Sequence, residues 1–242
     1  MAEERYDANV EVEDIDRQDP EYKDLLGRIL TIQADCEIGG PHLYVEDMIG
    51  GAPGRTNQIV VARTAAEEID HFRKMAFLAG QIGTDVSHVL QHGNEKRYVE
   101  AFRTHIRTWE DFAVFGFLVD RVGKFQLDEF LGCTYQPLDR AVRTMLPEEE
   151  GHIDFGTTTS AELAAKGGEQ KDRIQNSVNY WYVKALDMFG NSGSWRSERF
   201  RYWGIKRRSN AGAREEYMAE VNPLIEQMGL EVPDPSQGRL YF

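Results

Sequence analysis

Two short stretches of this 242-residue chain pair a carboxylate with an imidazole at a spacing suited to metal chemistry. Glu68 and His71 lie within Glu67-Glu68-Ile69-Asp70-His71, and Glu149 and His152 within Glu148-Glu149-Glu150-Gly151-His152. On a helix, residues three apart share a face, so each pair aims one oxygen and one nitrogen donor the same way. One such pair means little. Here each is preceded by an acid in an otherwise apolar stretch: Glu37, 31 residues before Glu68, and Asp120, 29 residues before Glu149. At a rise of about 1.5 Å per residue, up-down hairpins of that length return their two contributions to one height. Glu37, Glu68, His71, Asp120, Glu149 and His152 would then converge between four helices as a dinuclear site. Four carboxylates and two imidazoles form a hard, oxygen-rich donor set that suits iron or manganese. Two divalent ions would be balanced by Glu37, Glu68, Asp120 and Glu149, the candidate catalytic carboxylates, with open positions left for dioxygen.

Asp120 has no motif around it and is the member most in need of argument. It ends the apolar run Phe112 to Val119, sharing a helical face with Phe117, Gly116 and Ala113. A buried, unpaired carboxylate costs several kcal/mol, so something positive should face it. A metal would serve; the competing assignment is an ion pair with Arg121, Arg140 or Arg143. Glu110 is the rival third-helix carboxylate, but it lies 39 residues before Glu149 and breaks the symmetry. Glu67, Glu148 and Glu150 fall outside the three-residue spacing and read as solvated or outer-sphere groups. His71 and His152 should be held through their second ring nitrogens, with Asp70 and Asp154 as sequence neighbours. His42, His88, His92 and His105 have no ligand spacing and read as ordinary surface or core histidines. Phe112, Phe115 and Phe117 could shape a substrate pocket or serve as plain core.

The elements that must position these residues are helical. Residues 1–18 read as an extended acidic arm, 19–235 as one helical metal-binding domain and 236–242 as a tail. A helix is expected from Asp19-Pro20, a cap followed by proline at the first position. Gly39-Gly40-Pro41, directly after Glu37, should bend, unwind or end it. Gly50 to Gly54 is a turn. Further helices are expected over 56–78, 85–91, 95–122, 135–166, 169–188, 196–207 and 210–228, with turns at Gly93-Asn94, Gly123 and Gly167-Gly168, and a kink at Pro147. No alternating strand pattern of convincing length occurs. The chain reads as an all-α four-helix bundle with additional C-terminal helices.

Composition excludes several classes. A formal net charge of −13 argues against a nucleic-acid binder. The tract from Arg196 to Arg208 is locally basic and could meet phosphates or an acidic partner, or simply face solvent. Two distant cysteines, Cys36 and Cys133, provide no disulfide framework and no zinc or iron–sulfur spacing. There is no membrane-spanning apolar run and no secretory signal at Met1-Ala2-Glu3-Glu4-Arg5, so a cytoplasmic address is expected.

Beyond the six candidate ligands, blocks along roughly residues 20 to 235 carry a family resemblance. They include Glu37-Ile38-Gly39, Gly83-Thr84-Asp85, Gly116 to Asp120, Val178-Asn179, Ala185 to Gly190, Trp203 to Arg207, Met228-Gly229-Leu230 and Val232-Pro233-Asp234-Pro235. With both Glu-x-x-His motifs, the chain resembles the catalytic subunits of the phenylacetic acid catabolism family. The resemblance implies a ferritin-like di-iron monooxygenase that uses dioxygen and reducing equivalents to oxygenate an aromatic acyl-CoA such as phenylacetyl-CoA. It also implies a separate flavin and iron–sulfur reductase, and a related helical sister subunit or a homodimer. The ligands it implies are the same six residues. Thr64 stands where the family commonly has lysine, one turn before Glu68, and the run Gly40 to Tyr44 also departs from it. Alternatives are a non-catalytic scaffold subunit of such a complex, and a ferritin-like iron-handling or peroxidase protein.

Overall fold

The computed structural model describes residues 5–241, apart from the Glu46 side chain. Helices dominate, and among the described residues the only β-type pairing is an isolated bridge between Val10 and Tyr135. The long helices are α1 (Pro20–Gly51), α2 (Arg55–Gln81), α5 (Gln136–Ala165) and α6 (Gly168–Asp187). Between α2 and α5 runs a continuous rod made of α3 (Trp109–Val114), a π-helical turn (Phe115–Asp120) and α4 (Arg121–Asp128). Two shorter helices follow, α7 (Trp195–Tyr202) and α8 (Asn210–Gln227). No helix of the described residues is long and apolar enough to cross a membrane.

Several helix starts follow capping chemistry. The Asp19 side chain accepts from the Glu21 N–H ahead of Pro20, Thr108 from Asp111 N–H, and Ser209 from Gly212 N–H. The all-α reading holds, as do additional C-terminal helices packed on a bundle. Four details differ. The N-terminal arm is not simply extended: Val12–Arg17 form a 3-10 turn, and Val10 and Ile15 are buried. Helix α1 continues through Pro41 to Gly51. Proline at position 41 has no N–H to offer the Glu37 carbonyl, and ten further residues of helix carry the element across that gap.

The expected helix over 95–122 is the third difference. Residues 87–103 instead form short 3-10 turns, Ser87–Gln91, Asn94–Lys96 and Glu100–Arg103, and the helix starts only at Trp109. A long-range anchor shapes this segment. The fully buried Arg97 donates to Asp35 on α1 and to the carbonyls of Val89 and His92, which pins successive loops to one side chain. Fourth, Gly123 is not a turn. It lies inside α4 and faces α5, where an added Cβ would come 3.6 Å from Glu149 Oε2, an ordinary contact distance.

The rod and α5 meet still more closely at Gly156, where an added Cβ would lie 2.4 Å from Phe117 N. That contact falls on the π-helical turn. The extra residue in such a turn frees backbone carbonyls from their usual partners. Two carbonyls of the turn accept from side chains: Arg121 Nε donates to Phe117 O at 3.1 Å and Tyr217 Oη, from α8, donates to Leu118 O at 2.9 Å.

Candidate metal centre

Glu37 comes from α1, Glu68 and His71 from α2, Asp120 from the end of the π-helical turn, and Glu149 and His152 from α5. The three-residue spacing in α2 and α5 turns each pair inward. Ligand atoms of Glu37, Glu68, His71 and Glu149, all buried, lie within 4.8 Å of one another. His71 Nδ1 is 3.1 Å from Glu149 Oε1, 3.5 Å from Glu37 Oε2 and 3.8 Å from Glu68 Oε2. His152 joins through Glu68, with its Nδ1 3.0 Å from Glu68 Oε1. Asp120 lines the same cavity of ≈30 Å³ as Glu37, Glu68 and Glu149, enough for a water-sized occupant. Asp120 is half-buried as a residue, unlike the other five.

The three arginines that competed for Asp120 are engaged elsewhere. Arg121 bonds Phe117 O, Thr157 and Glu220; Arg140 bonds Glu11; Arg143 bonds Asp139. Among the described residues no lysine or arginine forms an ion pair with Glu37, Glu68, Asp120 or Glu149. Glu110 is outside the cluster, accepting from Gln170 at 2.6 Å beside a surface groove.

The outer ring nitrogens are where sequence reasoning fell short. His71 Nε2 is 2.7 Å from Glu148 Oε2, and His152 Nε2 is 2.9 Å from Glu67 Oε2. Each motif's first glutamate thus holds the other motif's histidine. Asp70 instead pairs with Arg73 and Lys74. The signal was the doubled Glu-Glu in both motifs, but nothing in linear spacing says that the partners cross between helices. Gln33 was also missed: its Nε2 donates to Glu37 Oε1 at 2.6 Å. The walls use Phe102 and Tyr44 from outside the Phe112–Phe117 run, whose aromatics serve as core.

The electrostatics call for a cation. Burial raises the Glu37 carboxyl to about 8 and also raises those of Asp120 and Glu149. Burial opposes the charge of Glu68 too, yet contacts with His152 and His71 bring it down to about 2. Burial likewise disfavours charged imidazoles, but contact with Glu149, Glu37 and Glu68 raises His71, and contact with Glu68 raises His152 to about 10. Burial thus favours the protonated forms of Glu37, Asp120 and Glu149, and the crowded carboxylates favour those of both imidazoles. The Nδ1 atoms of His71 and His152 have no hydrogen-bond partner despite full burial. Orphaned imidazole nitrogens turned toward crowded carboxylates are where metal ions fit, displacing those protons.

The basic tract is largely absorbed within the chain. Arg199 and Trp203 bond Glu21, Arg201 pairs with Glu198, and Arg207 and Arg208 engage Asp128 and Glu129.

Known proteins resemble the chain over most of its length. The family described as phenylacetic acid catabolic protein matches residues 1–240. The A-type subunit of the 1,2-phenylacetyl-CoA epoxidase of Escherichia coli (strain K12) is 28% identical over 219 residues, covering 88% of this chain and 70% of that protein. Benzoyl-CoA oxygenase component B of Aromatoleum evansii is 27% identical over 220 residues, covering 78% of this chain and 46% of that protein. The chain belongs to the phenylacetic acid catabolic protein family.

Proposed function

We propose that this chain is the metal-bearing subunit of an oxygenase that inserts an oxygen atom into an aromatic acyl-CoA, with phenylacetyl-CoA the first candidate substrate. The observation that carries the reading is the gathering of Glu37, Glu68, His71 and Glu149 donors within 4.8 Å, in a chain of this family. Glu37, Glu68, His71, Asp120, Glu149 and His152 would hold two iron ions, with manganese the alternative. When bound, the iron pair would supply the reduction and cleavage of dioxygen.

The chain's own groups have separable tasks. Glu148 and Glu67 accept from Nε2 of His71 and His152, which fixes the tautomer that leaves Nδ1 free to ligate. Gln33 orients Glu37 by donating to one of its oxygens, leaving the other for metal. The small cavity leaves room for only a water-sized occupant beside the centre. Thr64, one turn before Glu68, is buried and uncharged. Residues 19–235 would form the working unit. Electrons would come from a flavin and iron–sulfur reductase, and a related helical subunit or a second copy would complete the assembly.

Two measurements test the reading. Ferrous loading of the purified chain should yield about two metal ions per chain by the stoichiometry of the ligand set, and Glu68→Ala should lose them. The loaded chain with a surrogate reductase should then give an oxygenated product from phenylacetyl-CoA or benzoyl-CoA. Iron content unchanged by Glu68→Ala would sink the metal assignment. Iron oxidation without product from any aryl-acyl-CoA would move the chain to the iron-handling class.

A further inference from the structure

Five large tyrosines are fully buried: Tyr22, Tyr44, Tyr135, Tyr182 and Tyr217. Four have a hydroxyl partner, namely Thr134 for Tyr22, Gln81 for Tyr135, Asn222 for Tyr182 and Leu118 O for Tyr217. The Tyr44 hydroxyl has none among the described residues. Leaving a buried hydroxyl unpaired costs roughly 1–3 kcal/mol, so its placement calls for a reason. Tyr44 lies two turns beyond Glu37 on the same face of α1 and lines the metal cavity with Glu37, Glu68, Asp120 and Glu149. Gly40 makes room for it: an added Cβ there would sit 3.3 Å from the ring and 3.6 Å from Oη. Burial and the charges of Glu68, Asp120 and Glu149 keep the phenol protonated, with a pKa well above the usual value.

Behind that hydroxyl, the ring begins a run of edge contacts that reaches the surface. Tyr44 meets Phe115 at a centroid distance of 6.4 Å, Phe115 meets Trp181 at 5.1 Å, and Trp181 meets Tyr180 at 5.3 Å. Trp181 is fully buried and its Nε1 donates to Asp111 Oδ1 at 3.3 Å. Tyr180 is 45% exposed. Tyrosine and tryptophan are the aromatic side chains most readily oxidised by one electron, and Phe115 fills the gap between them with a packed ring.

We propose that Tyr44, Trp181 and Tyr180 form a one-electron relay between the metal cavity and the surface, draining oxidising equivalents when dioxygen reacts with no organic substrate bound. The inference rests on the di-iron reading above. Tyr44 gives one electron to the oxygen-oxidised centre; its O–H bond breaks, and the proton passes to a carboxylate oxygen of the cavity. Trp181 then returns an electron to the Tyr44 phenoxyl, which recovers that proton, while the indole N–H proton goes to Asp111. Tyr180 reduces the Trp181 radical, which takes its proton back from Asp111, and the Tyr180 phenolic proton leaves to solvent. A thiol- or ascorbate-class reductant finally supplies one electron and one proton to Tyr180.

The test is to load the full chain with ferrous iron, expose it to dioxygen without substrate and freeze it during the reaction. Electron paramagnetic resonance reads the aromatic radical, mass spectrometry locates oxidised side chains, and iron content is measured on the same samples. Wild type should show an aromatic radical and oxidation at Tyr180. Tyr44→Phe should bind iron as wild type does and lose the radical to background. It should also melt no lower than wild type, since it deletes an unpaired hydroxyl. Tyr180→Phe, a surface change, should keep the radical and shift oxidation to Trp181. The relay is overturned by equal radical yield in wild type and Tyr44→Phe, by an iron-loaded wild type with no radical, or by oxidation concentrated on Trp109 through Phe112. A chain that takes up no iron overturns the di-iron reading and the relay with it; the first three outcomes leave that reading intact.

Discussion

Asp35 and Glu37 stand two residues apart on α1, both buried, and have opposite surroundings. Residues two apart on a helix face nearly opposite ways. Asp35 turns toward the 87–103 segment, where Arg97 Nη1 donates to Oδ1 at 2.8 Å and Tyr98 N–H donates to Oδ2 at 2.7 Å, with His92 Nδ1 at 3.1 Å. Its charge is answered within the chain. Glu37 turns toward three more carboxylates and two histidines, and among the described residues no lysine or arginine pairs with any of the four acids. A completed charge network is architecture; one short of positive charge is a receptor for it.

The largest expected effect lies on the Asp35 side. Arg97→Met strands a buried carboxylate and should cost about 3–5 kcal/mol in urea denaturation. Glu37→Gln in the metal-free chain should be neutral or stabilising, since it removes one of several crowded acids. Equal costs for the two substitutions would erase the contrast. Next, ferrous iron at about 100 times its Kd should raise the stability of the chain by about 2.7 kcal/mol. That increment should vanish in Glu68→Ala and survive in Asp70→Asn.

A smaller effect tests the crossed histidine supports. Glu148→Gln and Glu67→Gln should each lower metal affinity by roughly 10–100-fold in a direct titration, whereas Asp70→Asn should leave it unchanged. The smallest belongs to a peripheral pair that needs no completion. Arg143 beside Asp139 holds its carboxyl below the usual range. A depressed folded-state pKa stabilises above the unfolded pKa, and the gain is lost as pH falls through the folded one. Asp139→Asn should therefore cost under about 1 kcal/mol at neutral pH and nothing in strong acid, as read from melts across pH.

Much of this was legible in the residues. The Glu-x-x-His spacing marks α2 and α5, and Asp19-Pro20 marks the start of α1, because both are local signals. Asp120 was singled out by its 29-residue distance from Glu149, matched to that of Glu37 from Glu68, with its apolar neighbours as support. What escaped depends on distant chain. Gly123 looks like a turn until Glu149 is placed against it, and the 95–108 stretch looks helical until Asp35 claims Arg97. Glu67 and Glu148 read as solvated or outer-sphere groups, and linear spacing could not say that each serves a histidine on the opposite helix. The π-helical turn leaves no mark in periodicity, since its only trace is one residue of offset.

That offset ties the far end of the chain to the centre. Asp120 sits where the π turn puts it, and one of the turn's carbonyls also accepts from Tyr217 of α8. Arg121, which holds the other, is itself clasped by Glu220 of α8. Removing one residue from 115–120 would rewind the turn as ordinary helix and change the direction in which Asp120 leaves the rod. Loss of α8 would release the same latch without touching a ligand. In genetic terms, a lesion after residue 209 would mimic a change at Asp120.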